Sequence, residues 1–293
     1  MTSTVAPAGV GVNADGRSTD PGLSISIVVY HPDVGALRET LSSLAIAVAR
    51  AQANDVVGTV SLDLIDNGSA PDTLESVLRD TGLLARGRIH TRIVRGHGNV
   101  GYGRGHNISM LRAQSRFHLV LNPDVVLADT AVTEALTFLS AHPEVTMITP
   151  EVRGGDGSKQ YLSRTHHSVF ILYLRSFAPR SLRKRFRRLI HAHEVRDRVD
   201  SGLPVQVPLA SGCFMFGRTA EFKSVGGFSP AYFLYFEDHD LSKRIGAHGP
   251  IVYVPEVKIT HYGGNTSAKE WKHVSMFIRS AFIFFRMHGW RLV

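Results

Sequence analysis

The chain is poor in cysteine: one, Cys213, in 293 residues. A lone cysteine excludes intrachain disulfides and cysteine-cage zinc sites, and it fits a reducing compartment. Tryptophan is scarce as well, with two residues. No stretch of about 18 consecutive apolar residues occurs, so a spanning helix is not expected. The first residues, MTSTVAPAGVGVNADG, have neither a basic start nor an apolar stretch, so no signal peptide is expected. Residues 1–22 are rich in Gly, Ala, Ser, Thr and Pro without a period, and read as a disordered tail.

Apolar material is sufficient for a core: hydrophobic residues make up 43% and mean hydropathy is −0.01. That excludes collagen-like and mostly disordered classes. At about 150 residues per domain, the length allows one large or two small domains. The net charge of +8 is local. Nine Arg or Lys lie between Arg175 and Arg198, against Glu194 and Asp197, which leaves about +1 for the rest of the chain. A basic surface confined to one segment argues against general nucleic-acid binding.

From residue 23 to 150, β-branched runs alternate with helical spacing. Ile25–Tyr30, Val60–Ile65, Ile89–Val94, Phe117–Leu121 and Val145–Thr149 read as strands, with helices between them. This predicts an α/β fold whose mostly parallel central sheet is covered by helices on both faces. In such sheets ligands bind beyond the carboxyl ends of the strands. Three polar clusters fall there: residues 66–69, 96–107 and 122–124. Residues 151–268 are less regular, with Ile251–Val254 reading as a short strand. Within them a basic segment spans 168–198. Residues 269–293 read as a C-terminal helix.

Four groupings carry possible chemistry, each with a plainer use. Asp124, after Asn122-Pro123, puts a carboxylate at a strand end, where it could hold a hard cation on a phosphate or simply close a turn. Glu237-Asp238-His239-Asp240 could supply a general base beside the aromatic run 232–236, or an acidic helix start with Asp240 paired to Arg244. His261 is a possible metal ligand, although it is one of fifteen histidines. Gly96-x-Gly98-x-x-Gly101 matches a dinucleotide fingerprint literally, but sits on the third strand instead of the first, which disfavours NAD. Arg180–Ile190 is predicted as one amphipathic basic helix. Its apolar side is Leu182, Phe186, Leu189 and Ile190, suited to an anionic membrane.

Taken together, SIVVYHP, DNGS, GNVGYGRGHN, LNPDV, ASGCFMFGR, GGFSPAYFLYFEDHDLSKRI and THYGG resemble the family 2 glycosyltransferases of GT-A fold. The resemblance spans residues 24–290 and is nearest to bacterial rhamnosyltransferases acting on polyprenyl-diphosphate-linked sugars. It implies a Rossmann-like nucleotide-sugar half at 23–150 and an acceptor-binding and catalytic half at 151–268. Asp66 would read the pyrimidine base. Tyr30, Asn99, Gly101, Arg104, Asn107 and Asn122 would line the nucleotide pocket. Asp124 and His261 would hold Mg²⁺ or Mn²⁺, with Asn122 standing where the family's motif has its first acid. Asp238 would be the catalytic base of an inverting transfer. The implied donor is dTDP-rhamnose, and the implied acceptor a lipid-linked or polysaccharide sugar of the cell envelope, such as O-antigen. The implied location is cytoplasmic, on the inner face of the plasma membrane. Alternatives are UDP-galactofuranose or another UDP-sugar as donor, or a non-catalytic basic binding protein.

Overall fold

The computed structural model describes residues 22–83, 89–263 and 271–292. Residues 1–21 of the segment read as a tail, and residues 264–270 from the last glycine of THYGG onward, therefore lie outside the described residues. Strands and helices alternate as β1 (Leu23–Val29), α1 (Val34–Ala53), β2 (Val60–Asp66), α2 (Thr73–Asp80), β3 (His90–Val94), α3 (Tyr102–Met110) and β4 (Phe117–Leu121). There follow β5 (Val125–Leu127), α4 (Ala131–Ala141), β6 (Met147–Arg153) and β7 (Lys159–Gln160). Short helices come next: α5 (Val169–Ser176), α6 (Arg180–Arg185), α7 (Arg187–His193) and α8 (Arg196–Val199). The chain closes with β8 (Val205–Gln206), β9 (Phe214–Arg218), α9 (Thr219–Ser224), α10 (Glu237–Ile245), β10 (Ile251–His261) and α11 (Trp271–His288).

One sheet runs β3-β2-β1-β4-β9-β6-β10-β5. The β3-β2-β1-β4 block is parallel, as its helical crossovers require. β9 enters antiparallel between β4 and β6, and β5 returns antiparallel along β10. β1 is buried along its whole length, which is why it reads as an unbroken apolar run with serines set into it. Ile25, Ile27 and Val29 join the core beneath α1, α2 and α4. The opposite face packs Met110, Val120, Met215, Phe222 and Phe228 with Leu241 and Ile245 of α10.

Close packing of α3 on the sheet depends on two glycines. A Cβ at Gly105 would meet Val28 Cγ2 at 2.7 Å, and one at Gly103 would meet Phe228 Cβ at 2.7 Å. Below this helix lies a buried polar chain: Ser26 Oγ bonds His106 Nδ1 at 2.7 Å and His118 Nε2 at 2.9 Å. Burial drives both imidazoles toward their neutral form, His118 down to about 3. These two histidines are structural.

Two expectations change. The strand expected over Ile251–Val254 continues to His261, because a register shift between Val254 and Lys258 carries it past Pro255. The helix expected over 180–190 is broken at Phe186 (φ −101°, ψ 23°). Leu182, Phe186 and Ile190 pack against Ile171, Leu174 and Ala178. That apolar side is therefore spent inside the protein, and of the four only Leu189 is exposed. The basic side chains of Arg180, Arg183, Lys184, Arg185, Arg187 and Arg188 remain exposed. No helix among the described residues is long and apolar enough to cross a membrane.

Candidate active site

The site is assembled at the carboxyl ends of β2, β4 and β10 and the start of α10. At the end of β2, Asp66 Oδ1 accepts the N–H groups of Gly68 (3.1 Å) and Ser69 (2.7 Å), and Oδ2 accepts Arg95 Nε at 2.8 Å. Burial alone would raise its pKa. Arg95 and the two N–H groups outweigh that and hold the carboxyl at about 2. Any base recognised by Asp66 therefore shares this carboxylate with Arg95. Tyr30, half exposed, rests its ring on Gly68, where a Cβ would lie 3.3 Å from Cε2.

The Gly-rich loop is pinned by Asn67, a residue that the sequence offered only as part of a turn. It is buried; its Nδ2 donates to the Gly101 carbonyl at 3.1 Å, and its Oδ1 pairs with His97 Nε2 at 3.0 Å. Asn99 Oδ1 accepts the Gly101 N–H at 3.0 Å. Gly101 has φ 87°, and a Cβ there would collide with the Phe233 carbonyl oxygen. That same oxygen accepts the first N–H of α3, from Tyr102, at 3.1 Å. The helix start is closed by protein where a dinucleotide fingerprint would leave it open to a pyrophosphate.

Two expected pocket residues are engaged elsewhere. Asn107 is a clamp: its Nδ2 donates to the Phe228 carbonyl and its Oδ1 accepts the Phe228 N–H, both at 2.8 Å. With both ends of the amide committed, it does not face a nucleotide. Arg104 Nε donates to the Pro230 carbonyl at 3.1 Å, joined by Nη2. This turns the guanidinium toward the 230–234 segment. The sequence pattern put both on the loop-to-helix face, but helix rotation about Gly103 and Gly105 set their directions.

The Asn122-Pro123-Asp124 corner is fixed from three sides. Asn122 N–H donates to the Cys213 carbonyl at 3.0 Å, Thr40 Oγ1 to the Pro123 carbonyl at 2.9 Å, and Tyr262 N–H to the Asp124 carbonyl at 3.2 Å. Pairing of β5 with β10 sets Val125 opposite His261. Asp124 Oδ1 and His261 Nε2 thus come within 3.5 Å across 137 residues of sequence. Asn122 Oδ1, Asp124 Oδ1 and His261 Nδ1 are all buried without a hydrogen-bond partner. Buried polar atoms are almost always paired, so three such orphans at one corner suit a cation with ligand oxygens. No group of three His, Cys, Asp or Glu able to hold a metal occurs among the described residues. A divalent ion here would take the rest of its oxygens from a diphosphate, as Mg²⁺ commonly does.

Asp238 opens α10. Its Oδ2 accepts the Gly212 N–H at 2.9 Å and its Oδ1 the His239 N–H at 2.8 Å, with the side chain 20% exposed. Tyr102 Oη donates to the Gly212 carbonyl at 2.6 Å. Buried Cys213 lies within the fields of both Asp124 and Asp238, and burial first, then those charges, push its thiol up to about 12. The thiol is inert. Just upstream, Tyr235 (φ 73°) and Phe236 (φ 66°) are both left-handed. Two successive strained aromatic residues turn the chain sharply into Glu237 and Asp238.

The three carboxyls of this helix separate by environment. Asp240 is fully buried and is held by Arg244 (2.6 and 2.8 Å) and by His288 of α11 (2.8 Å), the pairing its sequence spacing allows. Glu237 is buried with Oε2 unpartnered; burial first, then the Asp238 charge, raise it to about 8. It stays protonated at neutral pH. A carboxyl raised in the folded state contributes stability that is full below its unfolded value and lost as pH rises through the folded one. Between about pH 5 and pH 9 the wild type should therefore lose thermal stability that Glu237→Gln retains. Parallel melting curves for both proteins across that range would refute this assignment.

A match to the family model described as glycosyl transferase family 2 covers residues 27–199, more than half of the chain. The chain belongs to glycosyl transferase family 2. Over 287 residues it is 27% identical to N-acetylglucosaminyl-diphospho-decaprenol L-rhamnosyltransferase of Mycobacterium tuberculosis, covering 92% of this chain and 86% of that protein. Among solved structures it resembles GalNAc-T7 with UDP, GalNAc and Mn²⁺, at TM-score 0.61 and 15% identity. That match covers 91% of this chain but 49% of the other, so the chain spans about half the length of that neighbour. The mannosyltransferase PcManGT from Pyrobaculum calidifontis, in complex with GDP-Man and Mn²⁺, matches at TM-score 0.61 and 12% identity, over 96% of this chain and 68% of that one. These neighbours establish a GT-A fold for the family 2 chain.

Proposed function

We propose that this glycosyltransferase moves L-rhamnose from dTDP-rhamnose to a polyprenyl-diphosphate-linked sugar, with inversion, in assembly of a cell-envelope polysaccharide. The observation that carries the reading is the convergence of Asp124, His261 and Asp238, from three separate stretches of sequence, about Cys213 and the corner beside it. The Mycobacterium tuberculosis relative, whose name gives both rhamnosyl transfer and a lipid-linked acceptor, supports the choice of substrates.

In this reading Asp238 accepts the proton of the acceptor hydroxyl. The Gly212 and His239 N–H groups fix its two oxygens and leave each with a lone pair to spare. Glu237, buried and protonated, does not compete as a base or as a nucleophile. One base and no second nucleophilic carboxylate imply a single displacement, so a β-L-rhamnosyl donor gives an α-L-rhamnoside. Asn67 and Asn99 hold the loop that borders the nucleotide, with Tyr30 and Asp66 at the base end. Asp124 and His261, with Asn122 Oδ1 beside them, would hold Mg²⁺ or Mn²⁺. When bound, that ion offsets negative charge developing on the departing nucleoside diphosphate. The neighbours solved with Mn²⁺ support a divalent ion of this kind.

We further assign the exposed basic residues of α6 and α7 to an anionic membrane surface, where each is worth about 1 kcal/mol. That puts the enzyme on the cytoplasmic face of the membrane carrying its acceptor.

A donor screen by thermal shift tests the reading. With Mg²⁺ or Mn²⁺ present, dTDP-rhamnose should stabilise the protein more than UDP-galactofuranose, GDP-mannose or NAD, following ligand linkage. A larger shift with UDP-galactofuranose would transfer the same site to the other donor. A shift with NAD alone would sink the transferase mechanism.

A further inference from the structure

Between α3, the 231–234 segment and α11 lies a cavity of about 360 Å³. Its walls include Phe233, Leu234, Met276 and Ile283, and two exposed arginines, Arg104 and Arg279, border it. No carboxylate lines it. Arg104 uses Nε and Nη2 on the Pro230 carbonyl and keeps its Nη1 donors. Arg279 has no hydrogen bond or ion pair among the described residues. Two cations gathered against an apolar wall, without a counter-charge, suit an anion that carries its own apolar body.

The cavity is linked to the base through the chain and one run of contacts. Its Phe233–Leu234 wall leads within four residues to Glu237 and Asp238. The Phe233 carbonyl caps Tyr102, whose hydroxyl bonds Gly212, the residue whose N–H holds Asp238. Another face of α11, next to Arg279, is a surface of unusual character. Ile278 and Phe282 are each 55% exposed on α11, one turn apart. Lys272, Arg279 and Arg286 follow beside them at seven-residue spacing, and Trp271–His288 contains no Asp or Glu. An apolar stripe flanked by basic residues is how a helix lies at a lipid interface.

We propose that this cavity receives the diphosphate and the first apolar segment of a lipid-linked acceptor. The inference rests on the lipid-linked acceptor of the proposed function and adds where that acceptor is held. The diphosphate lies between Arg104 and Arg279. The lipid leaves along Leu234, Met276 and Ile283 toward the Ile278–Phe282 stripe. A nucleoside diphosphate has the same charged group, but for its ribose and base the walls offer, besides the two arginines, only Ser280, whose hydroxyl already donates to the Leu234 carbonyl.

The test uses the full chain and farnesyl diphosphate as probe, with binding measured by calorimetry. Arg279→Gln should weaken farnesyl diphosphate about tenfold or more, Arg279→Lys much less, and dTDP and UDP affinities should stay unchanged in both. Met276→Gln, which makes the apolar wall polar without adding charge, should also weaken farnesyl diphosphate. Farnesol and inorganic pyrophosphate should each bind the wild type more weakly than the joined molecule. Equal farnesyl diphosphate affinity in wild type and Arg279→Gln would overturn the proposal. So would a loss confined to dTDP or UDP, or inorganic pyrophosphate binding as tightly as farnesyl diphosphate. Turnover separates the two readings. A wild type that transfers to no polyprenyl-diphosphate acceptor, while farnesyl diphosphate binding still depends on Arg279, overturns the acceptor assignment alone. A wild type that transfers, with KM for that acceptor unmoved by Arg279→Gln, overturns the cavity alone.

Discussion

Asp238→Asn should lower turnover by about a hundredfold or more and leave donor affinity nearly unchanged, the pattern of a lost general base. The substitution keeps the side chain's shape and one of the two oxygens that the Gly212 and His239 N–H groups hold separately. It removes the ability to take a proton. Position matters as much as chemistry here. Asp240 is equally acidic in composition, but Arg244 and His288 occupy it and it is fully buried. Glu237 is raised by burial and already carries its proton. Asp240→Asn should therefore appear chiefly as lost stability, because it takes the charge partner from the half-buried Arg244 and weakens the tie to His288 of α11. Glu237→Gln should keep most of the activity. If Asp238→Asn turned over at the wild-type rate while Glu237→Gln abolished transfer, the roles of the neighbours would have to be exchanged.

The parallel half of the sheet was legible because each of β1, β2 and β4 is a short apolar or alternating run closed by a turn signal. Legibility failed where pairing partners lie far away. β5 has three residues, and it exists because His261 and its neighbours run antiparallel to it. β10 looked like a four-residue strand because Pro255 argues for a stop, and only the pairing with β6 shows the bulge that absorbs it. The same limit applied to the site. Asp124, His261 and Asp238 were named from their motifs, and Asp124 and His261 do meet in space. Asn107 and Arg104 sat in an equally suggestive motif, but side-chain direction on α3 follows from which residues are glycine. Gly103 and Gly105 turn one face onto Phe228 and Val28, and that rotation commits Asn107 to the Phe228 backbone. Asn67 was passed over because Asp-Asn-Gly-Ser is sufficient as a turn. Its Gly101 contact spans 34 residues and could not be read locally. The basic segment shows the same lesson in the opposite sense. Its amphipathic period was real, but the apolar side faced α5 within the chain instead of a membrane.

Asp124→Ala should weaken nucleoside-diphosphate binding about a hundredfold in Mn²⁺, the upper range for a lost metal ligand or its immediate support, and change it little in EDTA. The physical case rests on three unpaired buried atoms. Asp124 Oδ1 is within 3.5 Å of His261 Nε2, and neither it, His261 Nδ1 nor Asn122 Oδ1 has a hydrogen-bond partner. A purely structural ion pair would sit closer and would be satisfied by its surroundings. Each half of the pair also comes from a strand end fixed independently, Asp124 by Cys213, Thr40 and Tyr262 through its corner, and His261 by β5. Removing either side chain should leave the backbone in place, so the loss reads on the ligand and not on the fold. His261→Ala should reproduce the effect at smaller size, since a neutral imidazole contributes less to an oxygen-bound ion than a carboxylate does. Asn122→Asp offers the converse. A second carboxylate beside Asp124 should tighten Mn²⁺-dependent binding of dTDP or UDP, while repulsion between the two lowers stability without the ion. The measurements are calorimetric titrations of dTDP or UDP in Mn²⁺ and in EDTA, with melting curves for each variant. If Asp124→Ala loses the same affinity in EDTA as in Mn²⁺, the corner binds the nucleotide directly and holds no ion. If it loses affinity in neither, Asp124 is a turn residue after all.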